Sequence, residues 1–112
     1  MKEFLGRLYE NVVYIELRRR KKPEQDINYW KSSSGDETDF VIREGSKIIQ
    51  LIQVCYDLEL ENTAKREIEG LVKAAKEFDF NEGWIVSRNI EKEENIDGVK
   101  IHYVPLWKFL LA

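Results

Sequence analysis

Apolar residues near the start of the chain recur with the 3.6-residue period of a helix. Phe4, Leu5, Leu8, Tyr9, Val12 and Ile15 share one face, and the pattern stops ahead of Pro23, so a helix is expected over residues 3–20 with that face packed inward. Ile27-Asn28-Tyr29-Trp30 reads as a strand and Ser33-Ser34-Gly35-Asp36 as a turn. Thr38 to Arg43 is the return strand of a hairpin. Glu44-Gly45-Ser46 turns the chain into Lys47 to Tyr56, whose apolar residues fall on both faces, the pattern of a central strand covered on both sides. Asn62-Thr63 can cap a second helix, along which Ala64, Ile68, Leu71, Val72, Ala75 and Phe78 make a stripe suited to packing on the sheet. Gly83 to Ser87 and Gly98 to Val104 read as two further strands. Between them the acidic stretch Asn89 to Asp97 reads as a solvated loop, and Pro105 opens a short last helix, Leu106 to Leu111. The expected architecture is α/β in the order α-β-β-β-α-β-β-α: a meander, a crossover helix and a return to one mixed sheet of about five strands.

The length, 112 residues, suits a single domain over 1–112 with one core. Lys and Arg number 18 against 21 Asp and Glu, a net charge of -3, so no global positive field draws in nucleic acid and any such binding needs a local patch. The one cysteine, Cys55, excludes an internal disulfide. It sits in the most apolar strand, which points to a reducing, cytoplasmic setting. No apolar run approaches the roughly 18 residues of a membrane span, and Met1-Lys2-Glu3-Phe4-Leu5 turns polar too soon for a signal peptide. Zinc spacings, a G-x-x-x-x-G-K-[ST] phosphate loop and G-x-G-x-x-G are all missing from the sequence, so nothing in it binds ATP by itself.

Two polar residues stand where strands disfavour them. Asp39 lies between Thr38 and Phe40, and Gln53 lies inside Leu51-Ile52-Gln53-Val54-Cys55, where a buried amide must find partners for its donors and its acceptor. Facing one another on adjacent strands they could offer oxygen ligands to Mg²⁺, with Glu10 or Glu16 approaching from the first helix. Alternation places Cys55 on the same side as Gln53. A nucleophilic pair of Cys55 with the single histidine, His102, is disfavoured, because a catalytic thiol needs a base beside it and His102 lies on a distant strand. The run Arg18-Arg19-Arg20-Lys21-Lys22 is the concentrated basic feature. It suits a helix C-terminus electrostatically, or, extended by Lys31 and Arg43, a phosphate backbone.

Several blocks, in order, carry a resemblance: Gly6 to Val13, Ile15 to Arg19, Tyr29-Trp30-Lys31, Gly35 to Val41, Leu51 to Asp57, Thr63 to Glu67 and Val104 to Leu111. Together they span nearly the whole chain and resemble the C-terminal domain of uncharacterised function carried by archaeal AAA-type ATPases. That domain is in turn similar to the PD-(D/E)XK nuclease and Holliday-junction-resolvase fold. The resemblance implies a restriction-endonuclease-like three-layer core, with Glu10 as the first-helix glutamate and Asp39 as the metal-binding aspartate. Gln53 then stands at the second carboxylate and Cys55 at the lysine.

The departures fall where the chemistry would be decided. Gln53 offers a neutral carbonyl, and Cys55 cannot replace an ammonium that steadies developing phosphate charge. The expectation is a catalytically degenerate site at Glu10, Asp39, Gln53 and Cys55, with Mg²⁺, if held at all, on Asp39 and Glu10. The alternative is an active Mg²⁺-dependent DNA endonuclease whose cation has migrated to Lys65 or Arg66. A third reading, prompted by the acidic balance and by Trp30, Trp84 and Trp107, is a protein-interaction domain that binds no nucleic acid. The partners open to such a module are DNA, held by Arg18, Arg19, Arg20, Lys21, Lys22 and Lys31, an ATPase domain in cis or in trans, or a second copy of the chain, with no membrane.

Overall fold

The computed structural model describes residues 2–112. Its elements run α1 (Lys2–Arg20), β1 (Gln25–Lys31), β2 (Glu37–Glu44), β3 (Lys47–Val54), α2 (Glu61–Glu77), β4 (Glu82–Ser87), β5 (Lys92–Ile96), β6 (Val99–Pro105) and α3 (Leu106–Leu111). The strands form one sheet in the order β1-β2-β3-β4-β6-β5. Antiparallel pairing joins β1 to β2, β2 to β3 and β5 to β6, while β3 with β4 and β4 with β6 are parallel. The sheet is therefore mixed, as expected, and β3 is interior to it.

Two apolar clusters cover the two faces. Leu71, Val72, Ala74 and Ala75 of α2 pack with Val41, Leu51, Ile85, Val99, Ile101 and Tyr103. On the other face Val13 and Leu17 of α1 and Phe109 of α3 pack with Ile42, Ile52, Val54 and Val86. Alternation along β3 explains the split: Leu51 faces α2, whereas Ile52 and Val54 face α1 and α3.

Three expectations change. The stretch expected to be a solvated loop holds β5, giving six strands rather than about five. Ile96 pairs with Val99 across Asp97-Gly98, both with positive φ (51° and 81°), the backbone of a two-residue hairpin turn. This edge strand is held by polar tethers: Tyr103 donates its hydroxyl to Glu94 Oε1 at 2.6 Å, and Lys92 sits 4.9 Å over the Tyr103 ring. Its charges also suit an edge, where an apolar strand would invite pairing with another chain.

Second, α1 is turned relative to the expected face. Val13, Glu16 and Leu17 are buried, whereas Phe4, Leu8 and Ile15 are exposed. The helix carries apolar residues around most of its circumference, and its period alone does not choose which face meets the sheet. Third, Asn62-Thr63 does not cap α2: the helix begins at Glu61, after Leu60 in extended conformation, with no side-chain cap. Ala64 N–H donates to Leu60 O at 2.9 Å, so the first turn is closed by main chain alone. No helix among the described residues is long and apolar enough to cross a membrane.

Candidate functional site

The ladder between β2 and β3 ends at Phe40 opposite Ile52. Beyond it the strands part, and side chains take over the bridging. Asp39 N–H donates to Gln53 Oε1 and Val54 N–H donates to Asp39 Oδ2, each at 2.8 Å. The Gln53 amide also donates to Glu37 O at 2.8 Å and to Glu67 O on α2 at 2.9 Å. A side chain only 1% exposed has thus placed both donors and an acceptor on main chain, satisfying three groups that would otherwise be orphaned. Gln53 is a brace between two strands and a helix. Thr38 adds a second tie to α2, donating its hydroxyl to Gly70 O at 3.1 Å.

Two adjoining clefts open where the strands part. One, of about 280 Å³, is lined by Gly35, Glu37, Asp39, Gln53, Arg66 and Glu67. The other, of about 320 Å³, includes Glu10, Cys55, Tyr56, Asp57, Arg66 and Glu67 among its walls. Arg66 and Glu67 belong to both.

Three carboxyl groups here, those of Asp39, Glu67 and Glu10, are pushed above the ordinary carboxylate range. Burial pushes Asp39 up to about 8, aided by the charges of Glu10 and Glu67 and by its hydrogen bond with Glu10, and opposed by the Val54 amide. Glu67 rises to about 7, burial again leading, against the pull of Arg66. Glu10 is raised by burial, while its hydrogen bond with Asp39 lowers it, so the two titrate as a coupled pair. Among carboxylates the Cys55 thiol is pushed up to about 12, first by burial and then by Glu67, which leaves it inert as a nucleophile at neutral pH. It donates to Asp57 O at 3.7 Å.

Raised carboxyl groups tie stability to pH. Between the ordinary aspartate value and about 8 the folded chain holds a proton on Asp39 that the unfolded chain has released, so stability falls as pH rises through that window. Asp39→Asn mimics the protonated acid: its oxygen accepts from Val54 and its amide donates to Glu10. The variant is expected to come close to wild type near pH 4 and to exceed it by several kcal/mol at pH 8. Urea titrations at both pH values check this, and curves that stay parallel would rule out a protonated Asp39.

Of the two candidate glutamates on the first helix, Glu10 faces the cleft. Glu16 is buried against its own helix, where Arg19 (2.5 Å) and Arg20 (2.6 Å) hold its carboxyl down to about 2. The arginines of the basic run are likewise engaged within the fold, whereas Lys21, among the described residues, reaches only the neighbouring Lys22 O. Arg20 donates to Phe109 O at 2.5 Å and stacks 4.6 Å over the Phe109 ring, and Arg18 donates to Tyr14 Oη at 3.4 Å. Arg43 packs over Phe78 on the α2 side of the sheet, opposite Arg20, and Lys31 pairs with Glu37 at 3.9 Å. Of the two candidates for a migrated cation, Arg66 lines the clefts. Lys65 lies on the outer side of α2 with Leu58, Ala64 and Ile68.

His102 is not brought to Cys55. It stacks on Trp84 with ring centroids 4.7 Å apart, lies 2.7 Å from Glu82 Oε2, and occupies the face of the sheet opposite α2. The residue that sequence reasoning missed is Glu67. Its one signal was its position, three residues after Ala64 and four before Leu71, at the margin of the apolar stripe of α2.

A mixed six-stranded sheet between helices, with a carboxyl-lined cleft where two strands part, defines an α/β domain with a buried acidic site. The chain belongs to the family described as "Domain of unknown function (DUF4143)", which it matches over residues 5–109. Over 117 aligned residues it is 33% identical to "Uncharacterized protein MJ1544" of Methanocaldococcus jannaschii, covering 96% of this chain and 25% of that protein. Its fold is similar to that of a chain in a half-complex of Thermococcus gammatolerans McrB AAA+ hexamers with bound McrC, at a TM-score of 0.66 and 17% identity, over 89% of this chain and 27% of that one. The chain thus spans about a quarter of the proteins it matches.

Proposed function

We propose that the domain is a non-catalytic accessory module of an AAA-type ATPase, built on a nuclease-type scaffold and acting through contacts with protein. The observation that carries this reading is the use made of Gln53. The side chain at the position of the second metal carboxylate is spent on three main-chain groups, so it braces the fold and is not free to face a substrate. Its neighbours point the same way. Asp39 keeps a proton at neutral pH, and Cys55 supplies no cation where a lysine would stand. A divalent cation wants ionised oxygen donors in an open shell, and among the described residues no group of three or more His, Cys, Asp or Glu is disposed to hold one. These donors do not fit Mg²⁺. With Arg19 and Arg20 committed to Glu16 and Phe109, the basic run supports packing before DNA contact.

A second reading, a metal-dependent nuclease with a displaced cation, has one observation in its favour: Arg66 lines the cleft beside Asp39 and Glu67. One experiment separates the two. Branched, single-stranded and duplex DNA are incubated with the chain and Mg²⁺ or Mn²⁺, and the metals are titrated calorimetrically into wild type and Asp39→Ala. The accessory reading expects no cleavage and no saturable heat that depends on Asp39. Cleavage lost in both Asp39→Ala and Arg66→Ala would overturn it in favour of the nuclease.

A further inference from the structure

The outward face of α1 carries a pattern that the fold does not use. Phe4, Leu8, Asn11 and Ile15 follow one another at spacings of four, three and four residues, the a/d rhythm of a helix that pairs with another helix. They stay open to solvent: Phe4 is 61% exposed, Leu8 44% and Ile15 58%, and Asn11 is exposed as well. The face that α1 gives to the sheet is the opposite one, with Val13 and Leu17 in the core. A helix that is apolar on two opposed sides, one buried and one bare, has a second partner to meet.

Charge states what kind of partner. Arg7 and Arg18 flank the bare stripe and are exposed, and Arg19, although paired with Glu16, keeps its guanidinium 68% exposed beside it. Of the three acids on α1, Glu3 and Glu10 line the cleft and Glu16 is turned onto Arg19 and Arg20. The rim is positive although the whole chain carries a net charge of -3. A second copy of this chain would set Arg7, Arg18 and Arg19 against their own kind along one seam, which like-charge repulsion disfavours. A helix whose apolar stripe is flanked by glutamates or aspartates matches both the spacing and the sign.

We infer that the outer face of α1, centred on Leu8 and Ile15, is a docking surface for an amphipathic helix with acidic flanks, paired in coiled-coil fashion. Asn11 fixes the register, because a polar side chain in such a seam needs a polar group opposite. The inference rests on the accessory-module reading only for the natural source of the helix. A failed docking test therefore sinks the surface and leaves the cleavage and metal result untouched.

The probes are two dye-labelled designed peptides of three heptads, with leucine at a and d, one asparagine at d, and either glutamate or lysine at every e and g. Each is titrated by fluorescence anisotropy with the full 112-residue chain, in parallel with a labelled DNA duplex. The glutamate peptide is expected to bind in the micromolar range, to weaken as salt is raised, and to exceed the lysine peptide by at least about tenfold. Leu8→Glu is expected to lower that affinity by about tenfold or more. Trp107→Glu, at an exposed apolar position on α3, is expected to leave it unchanged, with circular dichroism showing both variants folded. Four outcomes overturn the inference: neither peptide binds, both bind equally, DNA competes the peptide off this face, or the chain self-associates through Leu8 and ignores the peptides.

Discussion

Gln53→Glu, which supplies the carboxylate that the proposed nuclease reading would require here, is expected to destabilise the domain by about 3–5 kcal/mol at pH 8 and to yield no cleavage. A carboxylate keeps the acceptor that Asp39 N–H uses. It loses both donors, and two main-chain oxygens, Glu37 O and Glu67 O, are left facing a like-charged group at a site 1% exposed. Each unsatisfied buried group costs about 1–3 kcal/mol. The new acid also sits among Glu10, Asp39 and Glu67, so its folded-state pKa is raised. A protonated side chain regains one donor, and the sign follows: the variant is least impaired below the ordinary glutamate value and loses ground as pH rises. Denaturant titrations at pH 5 and pH 8, run beside the DNA cleavage assay, check both halves. A variant within 1 kcal/mol of wild type at pH 8 would show that the brace is dispensable.

The second large effect comes from a residue with no side chain. Gly70 lies where α2 touches the sheet, and a Cβ built there would stand 2.1 Å from Glu37 O and 3.1 Å from Gln53 Nε2. The first obstacle is backbone and does not swing aside. On helix propensity alone, Gly to Ala in a helix is favourable by about 1 kcal/mol, so the sign of the measured effect separates propensity from packing. Gly70→Ala is expected to cost about 3 kcal/mol or more, because α2 must lift and drag Thr38 and Gln53 off their partners. Gly6→Ala in α1, where a Cβ meets nothing within 4 Å, is the matched control and should stabilise by about 0.5–1 kcal/mol. Thermal and chemical melts of the pair decide it. If both substitutions moved stability in the same direction, the close approach at Gly70 would not be the governing contact.

Much of the architecture was legible because the pattern was periodic. The stripe of α2 and the two-sided apolarity of β3 gave both elements and their places, since each reflects burial directly. What escaped did so for identifiable physical reasons. β5 carries Lys92-Glu93-Glu94-Asn95, a run that reads as solvated because its strand is tied to β6 by the Glu93–Lys100 ion pair and the Tyr103 hydroxyl rather than mainly by apolar packing. The Asp97-Gly98 dipeptide between Ile96 and Val99 was the hairpin signal to weigh against that reading. The facing of α1 escaped because two sides of it are apolar, and tertiary packing makes the choice between them. At the site, Asp39 and Gln53 stood out as polar residues inside strands. The role of Gln53 depended on where its strand parts from the next, which no local pattern reports. Glu67 passed as an ordinary helical charge until the fold laid it over the cleft.

The connection made by α2 bears on how the chain assembles. Strands β1, β2 and β3 pair across short turns, so their contacts close small loops and form with little loss of chain entropy. The parallel join of β3 to β4 is of another kind. Ile52 meets Trp84 only after the whole of α2 has been spanned, and α2 is both the connector that brings β4 home and the cover that makes the join worthwhile. Helix and strand must arrive together. The domain thus divides, in the order of its making, into a meander that local contacts can raise and a second half that waits on one long-range closure.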